Sequence, residues 1–206
     1  MDSSPRSSPA PVIDGIVPAA GRSRRMGRSK ALLPVDGEVF IERAIRVLIE
    51  GGCRAVVAVV GAGDEEAGRR AEQTGAKVVV NPEPESDQAA SLRLGLGAIE
   101  PEAEAVVVLP VDHPLVAATT VARLLAAFRA RRAPIVRPTY CGVPGHPGVF
   151  ARRLFPELLR PELPEGAHSV VEAHRDEVLD VAVHDAGTTA DIDAPDDYRR
   201  LVEGAC

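Results

Sequence analysis

The sequence predicts an α/β fold: a mostly parallel central sheet covered by helices in one layered domain. Short runs of valine and isoleucine, too apolar for strands with one wet face, alternate along the chain with segments of helical periodicity. The residues available for a core point the same way. Of 206 residues 45% are apolar, yet only 3% are aromatic and tryptophan is absent, which is the Val, Leu, Ile and Ala mixture of parallel strands covered by helices. A chain of this length is served by one core. Residues 12–206 are therefore expected to form a single domain, preceded by a flexible Ser- and Pro-rich arm over residues 1–11.

The elements follow in order. Residues 12–17 read as the first parallel strand, running into the small residues Ala19, Ala20 and Gly21, which let backbone approach a ligand. Ile41, Ala44, Ile45 and Leu48 share a helix face over residues 40–50, with Gly51-Gly52 as the stop. Residues 56–60 form a strand buried on both faces, residues 64–75 a polar helix, and residues 78–80 a third strand. Asn81-Pro82 and Pro84 interrupt the chain, and Ser86 then caps a helix that carries Leu92, Leu96 and Ile99. A strand over residues 105–109 ends at Pro110-Val111-Asp112-His113-Pro114, which puts a carboxylate where open α/β sheets bind ligands.

Val121, Leu124, Leu125 and Phe128 mark the next helix, and Arg129, Arg131 and Arg132 complement the dipole at its end. Ile135 and Val136 form a short strand, followed by a Gly/Pro-rich loop over residues 140–150 of the kind that serves sites. Helices over residues 152–159 and 168–174 precede a strand over residues 178–183. Asp191-Ile192-Asp193-Ala194-Pro195 leads into a C-terminal helix with Tyr198, Leu201 and Val202 facing inward.

The formal net charge of -6 and pI near 5.4 exclude broad nucleic-acid or membrane-surface binding, which needs a basic face. Cys53, Cys141 and Cys206 share no metal-ligand spacing, and no signal-like apolar segment opens the chain, so a reducing cytoplasmic compartment is expected. Against this acidic background Arg22, Arg24, Arg25, Arg28 and Lys30 cluster in one loop with Ser23, Gly27 and Ser29. Cationic side chains and flexible backbone N–H groups suit a polyphosphate. The loop is neither a Walker A motif nor a dinucleotide fingerprint.

Asp112 is the natural ligand for a phosphate-bound Mg²⁺. Asp191 and Asp193, two apart and on one side of an extended segment, either complete that site or, for Asp193, cap the following helix. His113 and His146 have no carboxylate partner identifiable from sequence, and no Gly-x-Ser-x-Gly elbow supports a hydrolase.

Ala19, Ala20, Gly21, Ser23, Arg25, Met26, Gly27 and Lys30 match the pattern Ala-Ala-Gly-x-Ser-x-Arg-Met-Gly-x-x-Lys, and the chain resembles the nucleotidyltransferases that carry it. Further along, Asn81-Pro82, Ser91-Leu92-Arg93, Leu109 through Val116, Gly145-His146-Pro147 and Asp191 through Asp197 look like the ordered motifs of the molybdenum cofactor cytidylyltransferase group. The resemblance implies a three-layer α/β/α Rossmann-like nucleotidyltransferase fold and transfer of a nucleoside monophosphate from an NTP to a small phosphorylated acceptor, with release of pyrophosphate. The Ala-Ala-Gly form leans toward CTP as donor, and the resemblance to the group implies molybdopterin as acceptor. Mg²⁺, or Mn²⁺ in its place, is implied as the metal, and a molybdoenzyme or cofactor-delivery protein as partner.

Residue by residue, the resemblance puts Ala19, Ala20, Gly21 and Ser23 along the nucleotide and Arg25 and Lys30 on its phosphates. Ser91 lies on the base side, and Asp112 with Asp191 or Asp193 holds the metal. The chain departs from the group at Asp87-Gln88 and at His168, both positions bearing on substrate choice. Nucleotidylyltransferases of sugar phosphates or isoprenoid precursors, and a non-catalytic nucleotide- or cofactor-binding chaperone, are the alternative readings.

Overall fold

The computed structural model describes residues 10–21, 29–83, 88–163 and 166–204. Its strands are β1 (Ile13–Ala19), β2 (Pro34–Val35), β3 (Glu38–Val39), β4 (Val56–Gly61), β5 (Lys77–Asn81), β6 (Ala105–Val108), β7 (Ile135–Tyr140), β8 (Val143–Pro144), β9 (Gly148–Ala151) and β10 (Val178–Ala182). The helices are α1 (Phe40–Glu50), α2 (Glu65–Gln73), α3 (Gln88–Gly97), α4 (Ala118–Arg131), α5 (Phe155–Leu158), α6 (Ala167–Ala173) and α7 (Pro195–Tyr198).

The main sheet has eight strands in the order β10-β7-β9-β6-β1-β4-β5, with β8 added to β7; β2 and β3 form a separate hairpin. β1 lies between β4 and β6 and is parallel to both. Side-chain alternation then divides the core in two. Ile13, Val17, Val56, Ala58, Val60, Ala105, Val107, Val136 and Val149 pack on one face with α1 and α4, through Ile41, Ile45, Leu48, Leu124 and Leu125. Ile16, Val57, Val59, Val106, Val108, Ile135 and Phe150 pack on the other with Leu92 and Leu96 of α3, Leu158 of α5 and Val170 of α6. Strands with both faces covered have no polar side to show, which is why they read as unbroken apolar runs.

Helix α3 approaches β1 closely because Gly95 has no side chain; a Cβ there would lie 2.6 Å from Ile16 Cγ2. Asp14, buried in β1, is matched by the Arg54 guanidinium, with Nε donating to Oδ1 at 3.0 Å and Nη2 to Oδ2 at 2.7 Å.

Several expectations change. The first strand extends through Ala19, so only Ala20 and Gly21 of the small-residue trio lie beyond it. The segment read as a loop into an extended run supplies β8 and β9, and β9 enters the sheet antiparallel between β6 and β7. With only Gly148–Ala151 in pairing, its direction is set by its neighbours rather than by local pattern. The helix expected over residues 152–159 is a 3₁₀ turn, Arg152–Leu154, followed by α5 with Pro156 in its first turn. The C-terminal helix passes from α7 into a π-helical turn, Arg199–Glu203.

Ser86, the expected cap of α3, lies outside the described residues. Cys53 is buried, and burial above all, with the Asp14 charge, pushes its thiol up to about 12; it is a packing residue. Among the described residues no helix is long and apolar enough to cross a membrane.

Candidate active site

The site forms where β1 and β6 end. Beyond β6 the backbone stays beside β1 through Leu109 N to Ile16 O (3.0 Å) and Val111 N to Pro18 O (3.2 Å), which carries Asp112 alongside Ala19 and Ala20. Residues 22–28, and with them Ser23, Arg25, Met26 and Gly27, lie outside the described residues. The chain returns at Ser29, whose Oγ donates to Asp64 Oδ2 at 2.5 Å, and Lys30 opens the 3₁₀ turn Lys30–Leu32. That turn is fixed by the burial of Ala31 and Leu33 on either side of its end.

Lys30 is the hub. Its Nζ donates to Asp193 Oδ1 at 2.5 Å and lies 3.7 Å from Asp112 Oδ2. The three side chains are 13%, 33% and 15% exposed, so the cluster is partly shielded from water and its charges are less screened than on an open surface. Asp112 Oδ1 receives the His113 Nδ1 proton at 3.0 Å, which fixes the His113 tautomer. Burial acts to raise the Asp112 pKa. The hydrogen bond and charge of His113, together with Lys30 and His146, outweigh it and hold the carboxyl below its ordinary value.

The His113 and His146 rings meet edge to face with centroids 4.5 Å apart. Burial first, then the neighbouring His113 charge, pushes His146 down to about 4 against the opposing pull of Asp112. His146 is therefore neutral at pH 7.

One segment of chain braces this arrangement. Asp185 Oδ2 accepts from Ala117 N (2.9 Å) and Thr120 Oγ1 (2.6 Å) at the start of α4. Thr188 O accepts from His146 N at 2.8 Å, and Ile192 N donates to Asp112 O at 2.9 Å, so residues 185–193 lie across the ends of β6 and the loop before β9. Gly187 is required there: a Cβ would sit 2.3 Å from Leu115 O. The sequence carried no sign of where this strap docks, because the contacts that hold it against α4, His146 and Asp112 are distant along the chain.

Beside the cluster opens a cleft of about 890 Å³ on the α3/α6 side of the sheet. Val108, Ile135 and Phe150 form its apolar floor. His113 and His146 stand at one end, and Arg137, His168 and Glu172 lie along the rest. Arg137 was not singled out by the sequence; its place on the same strand face as Ile135 is the signal that would have found it.

The other expected residues fall out as follows. Ala19 and Ala20 are buried, and Gly21 is exposed at the end of β1. Ser91 is buried on α3 and accepts a hydrogen bond from Asn81 Nδ2 at 3.3 Å; Ala89 and Leu92, its neighbours, line the cleft instead. Asp193 does not cap α7: Asp197 Oδ2 accepts from Ala194 N at 2.9 Å and from Asp193 N at 3.3 Å. Asp191 is exposed. Among the described residues no three His, Cys, Asp or Glu side chains group so as to hold a metal by themselves, so Asp112, Asp191 and Asp193 are not a ready-made three-ligand centre.

Residues 15–178 match the family model described as the MobA-like NTP transferase domain. The nicotine blue oxidoreductase of Paenarthrobacter nicotinovorans is 31% identical over 93% of this chain and 97% of its own length. The molybdenum cofactor cytidylyltransferase of Escherichia coli K12 is 25% identical over 90% of this chain and 93% of its own. Among solved structures, Rv0371c of Mycobacterium tuberculosis H37Rv superposes with a TM-score of 0.84 at 33% identity, covering 95% of this chain and all of that one, and its manganese complex gives 0.79. The fold, the family match across most of the chain and the cytidylyltransferase relative agree: the chain belongs to the MobA-like NTP transferase domain family and is an enzyme of the nucleotidyltransferase type.

Proposed function

We propose that this enzyme moves CMP from CTP to the phosphate monoester of molybdopterin. The attacking phosphate oxygen is ionised at neutral pH and needs no general base. It bonds to the α-phosphorus while the bond from that phosphorus to the departing pyrophosphate breaks, so the protein's task is positioning and charge compensation. Mg²⁺, or Mn²⁺ in its place, would supply two positive charges against the α-phosphate and pyrophosphate.

Asp112 and Asp193 fit such an ion. They are hard oxygen donors from separate segments that already share one cation, the Lys30 ammonium. Exposed Asp191 lies outside this pair. With the carboxylates given to the metal, Lys30 turns to the nucleotide phosphates alongside Arg25, Ser23 and the backbone of residues 19–21. His113 keeps Asp112 oriented, and Ser91, tied to Asn81, fixes the start of α3 on the base side. The dinucleotide product then passes to a molybdoenzyme or a delivery protein. The manganese complex of the M. tuberculosis structure and the E. coli cytidylyltransferase support this reading.

The observation that carries it is the Lys30 ammonium held between Asp112 and Asp193 beside an apolar cleft. A thermal-shift screen with CTP, GTP, ATP and UTP, each with and without Mg²⁺, is expected to show a rise selective for Mg²⁺ and CTP together. Asp112→Asn is expected to lower pyrophosphate release by about 100-fold or more with the fold intact. A folded protein that releases no pyrophosphate from any NTP with any phosphate monoester overturns the reading.

A second reading rests on the P. nicotinovorans relative, whose name is that of an oxidoreductase. The apolar floor would then receive a flat dye for reduction. Oxidation of NADH or NADPH coupled to bleaching of an electron-accepting dye by the purified chain tests it.

A further inference from the structure

The cleft contains an arginine that the proposed reaction does not use. Arg137 follows Ile135 by two positions and shares its strand face, so it rises from the same floor as Val108 and Phe150. β9 separates β7 from β6, placing Arg137 roughly 10 Å across the sheet from the strand that leads to Asp112. Its Nε donates to Asp180 Oδ1 at 2.7 Å, on the paired position of β10, and the two side chains are 26% and 48% exposed. Among the described residues neither Nη nitrogen has a hydrogen-bond partner. One edge of the guanidinium is thus anchored, leaving a planar pair of donors in an apolar cleft.

The charge around Arg137 narrows what it can take. Asp180 already pairs with it, and Glu172 of α6, which also lines the cleft, is held chiefly by a hydrogen bond from Arg175 and feels the His168 and Arg137 charges as well. A second anion would meet two carboxylates here. A neutral ring edge with a carbonyl oxygen beside a ring nitrogen meets the donor fork instead, the same fit by which arginine reads two adjacent acceptors on guanine. The Glu172 carboxylate on the same wall accepts from ring N–H groups next to that carbonyl.

We propose that Arg137, anchored by Asp180, is the specificity residue of the cleft, reading the amide-like edge of a flat, fused heterocyclic acceptor whose reacting phosphate lies at the Asp112 end. This rests on the transferase reading for the role of the ligand as acceptor, and on the cleft alone for its recognition.

The test is fluorescence titration of the full chain, in the presence of Mg²⁺ and CTP, with pterin and with 2,4-diaminopteridine. The second ring differs in carrying an amino donor in place of the carbonyl acceptor. The wild type is expected to prefer pterin by about tenfold or more. Arg137→Met is expected to erase the preference and Arg137→Lys to retain part of it, the lysine keeping charge without the fork. Circular dichroism and the Mg²⁺–CTP thermal shift should stay unchanged in both. Asp180→Asn should weaken the preference without abolishing it. A preference that survives Arg137→Met, or a wild type that binds neither ring or both equally, overturns the proposal. A preference that depends on Arg137 in a protein with no NTP-induced shift and no pyrophosphate release would sink the transfer reaction and leave this recognition standing.

Discussion

His146 has no acid or base task in the proposed transfer, yet its environment gives it a measurable signature. In the unfolded chain its imidazole titrates near 6.5, and in the folded protein near 4. Between those values the unfolded state binds more protons, so stability is full above about pH 6.5 and falls as the pH drops toward 4. Asp112 adds to acid sensitivity in a lower window. Its pKa is depressed, so the stability it contributes is present above the usual carboxylate value and lost as the pH falls through the folded one. Thermal midpoints measured from about pH 7.5 down to 4 should therefore decline for the wild type, and His146→Gln should decline less over the upper part of that range. A variant curve parallel to the wild type would mean that His146 is not the buried group titrating there.

At the scale of elements, the strap over residues 185–193 does for α4 what no neighbour in sequence does. The N-cap position of that helix is Ala117, which has no side-chain acceptor; Asp185 arrives from 68 residues away to take the Ala117 N–H and the Thr120 hydroxyl. A carboxylate there also complements the helix dipole. Asp185→Ala is expected to cost about 1–2 kcal/mol of stability by chemical denaturation, in the range of lost helix caps. Because Thr188, Ile192 and Asp193 belong to the same strap, pyrophosphate release should fall as well. A variant with unchanged denaturation and unchanged turnover would show that the strap is held elsewhere.

In the molecule as a whole, layer spacing is set where helices meet β1. At Gly95 an added methyl group would press on Ile16 Cγ2 at 2.6 Å and Val59 Cγ2 at 3.3 Å, side chains fixed inside the second core. Gly95→Ala should destabilise by about 1–3 kcal/mol, read as a lower denaturation midpoint with unchanged slope, despite alanine's better helix propensity. An equal or higher midpoint would show that α3 can lift from the sheet at little cost.

The strands that frame β1 were legible in the sequence because burial on both faces leaves a continuous apolar run. The antiparallel β9 was not, since four residues after a Gly/Pro-rich loop carry no record of which neighbours they join. The kinds of residue at the site were legible through the resemblance. Their pairing was not: nothing local tells Lys30 to meet Asp193, or assigns the α7 cap to Asp197 rather than Asp193. Arg137 is legible only in part: its spacing from Ile135 places it on the same strand face, but that face carries a ligand cleft only once α3 and α6 are seen to stand around it.

The bond between Lys30 and Asp193 spans nearly the whole chain. A ribosome delivers the amino-terminal strands first, and domains assemble in that order as they emerge. β1, β4 and β6 can be in place once residue 108 has appeared, while the strap that bears on His146, Asp112 and Lys30 is made only after β10. A chain cut just before Asp191 would keep the sheet's central strands yet leave Lys30 without its Asp193 partner. Nascent or truncated copies that stop short of the strap would thus carry the central strands without the assembled charge cluster.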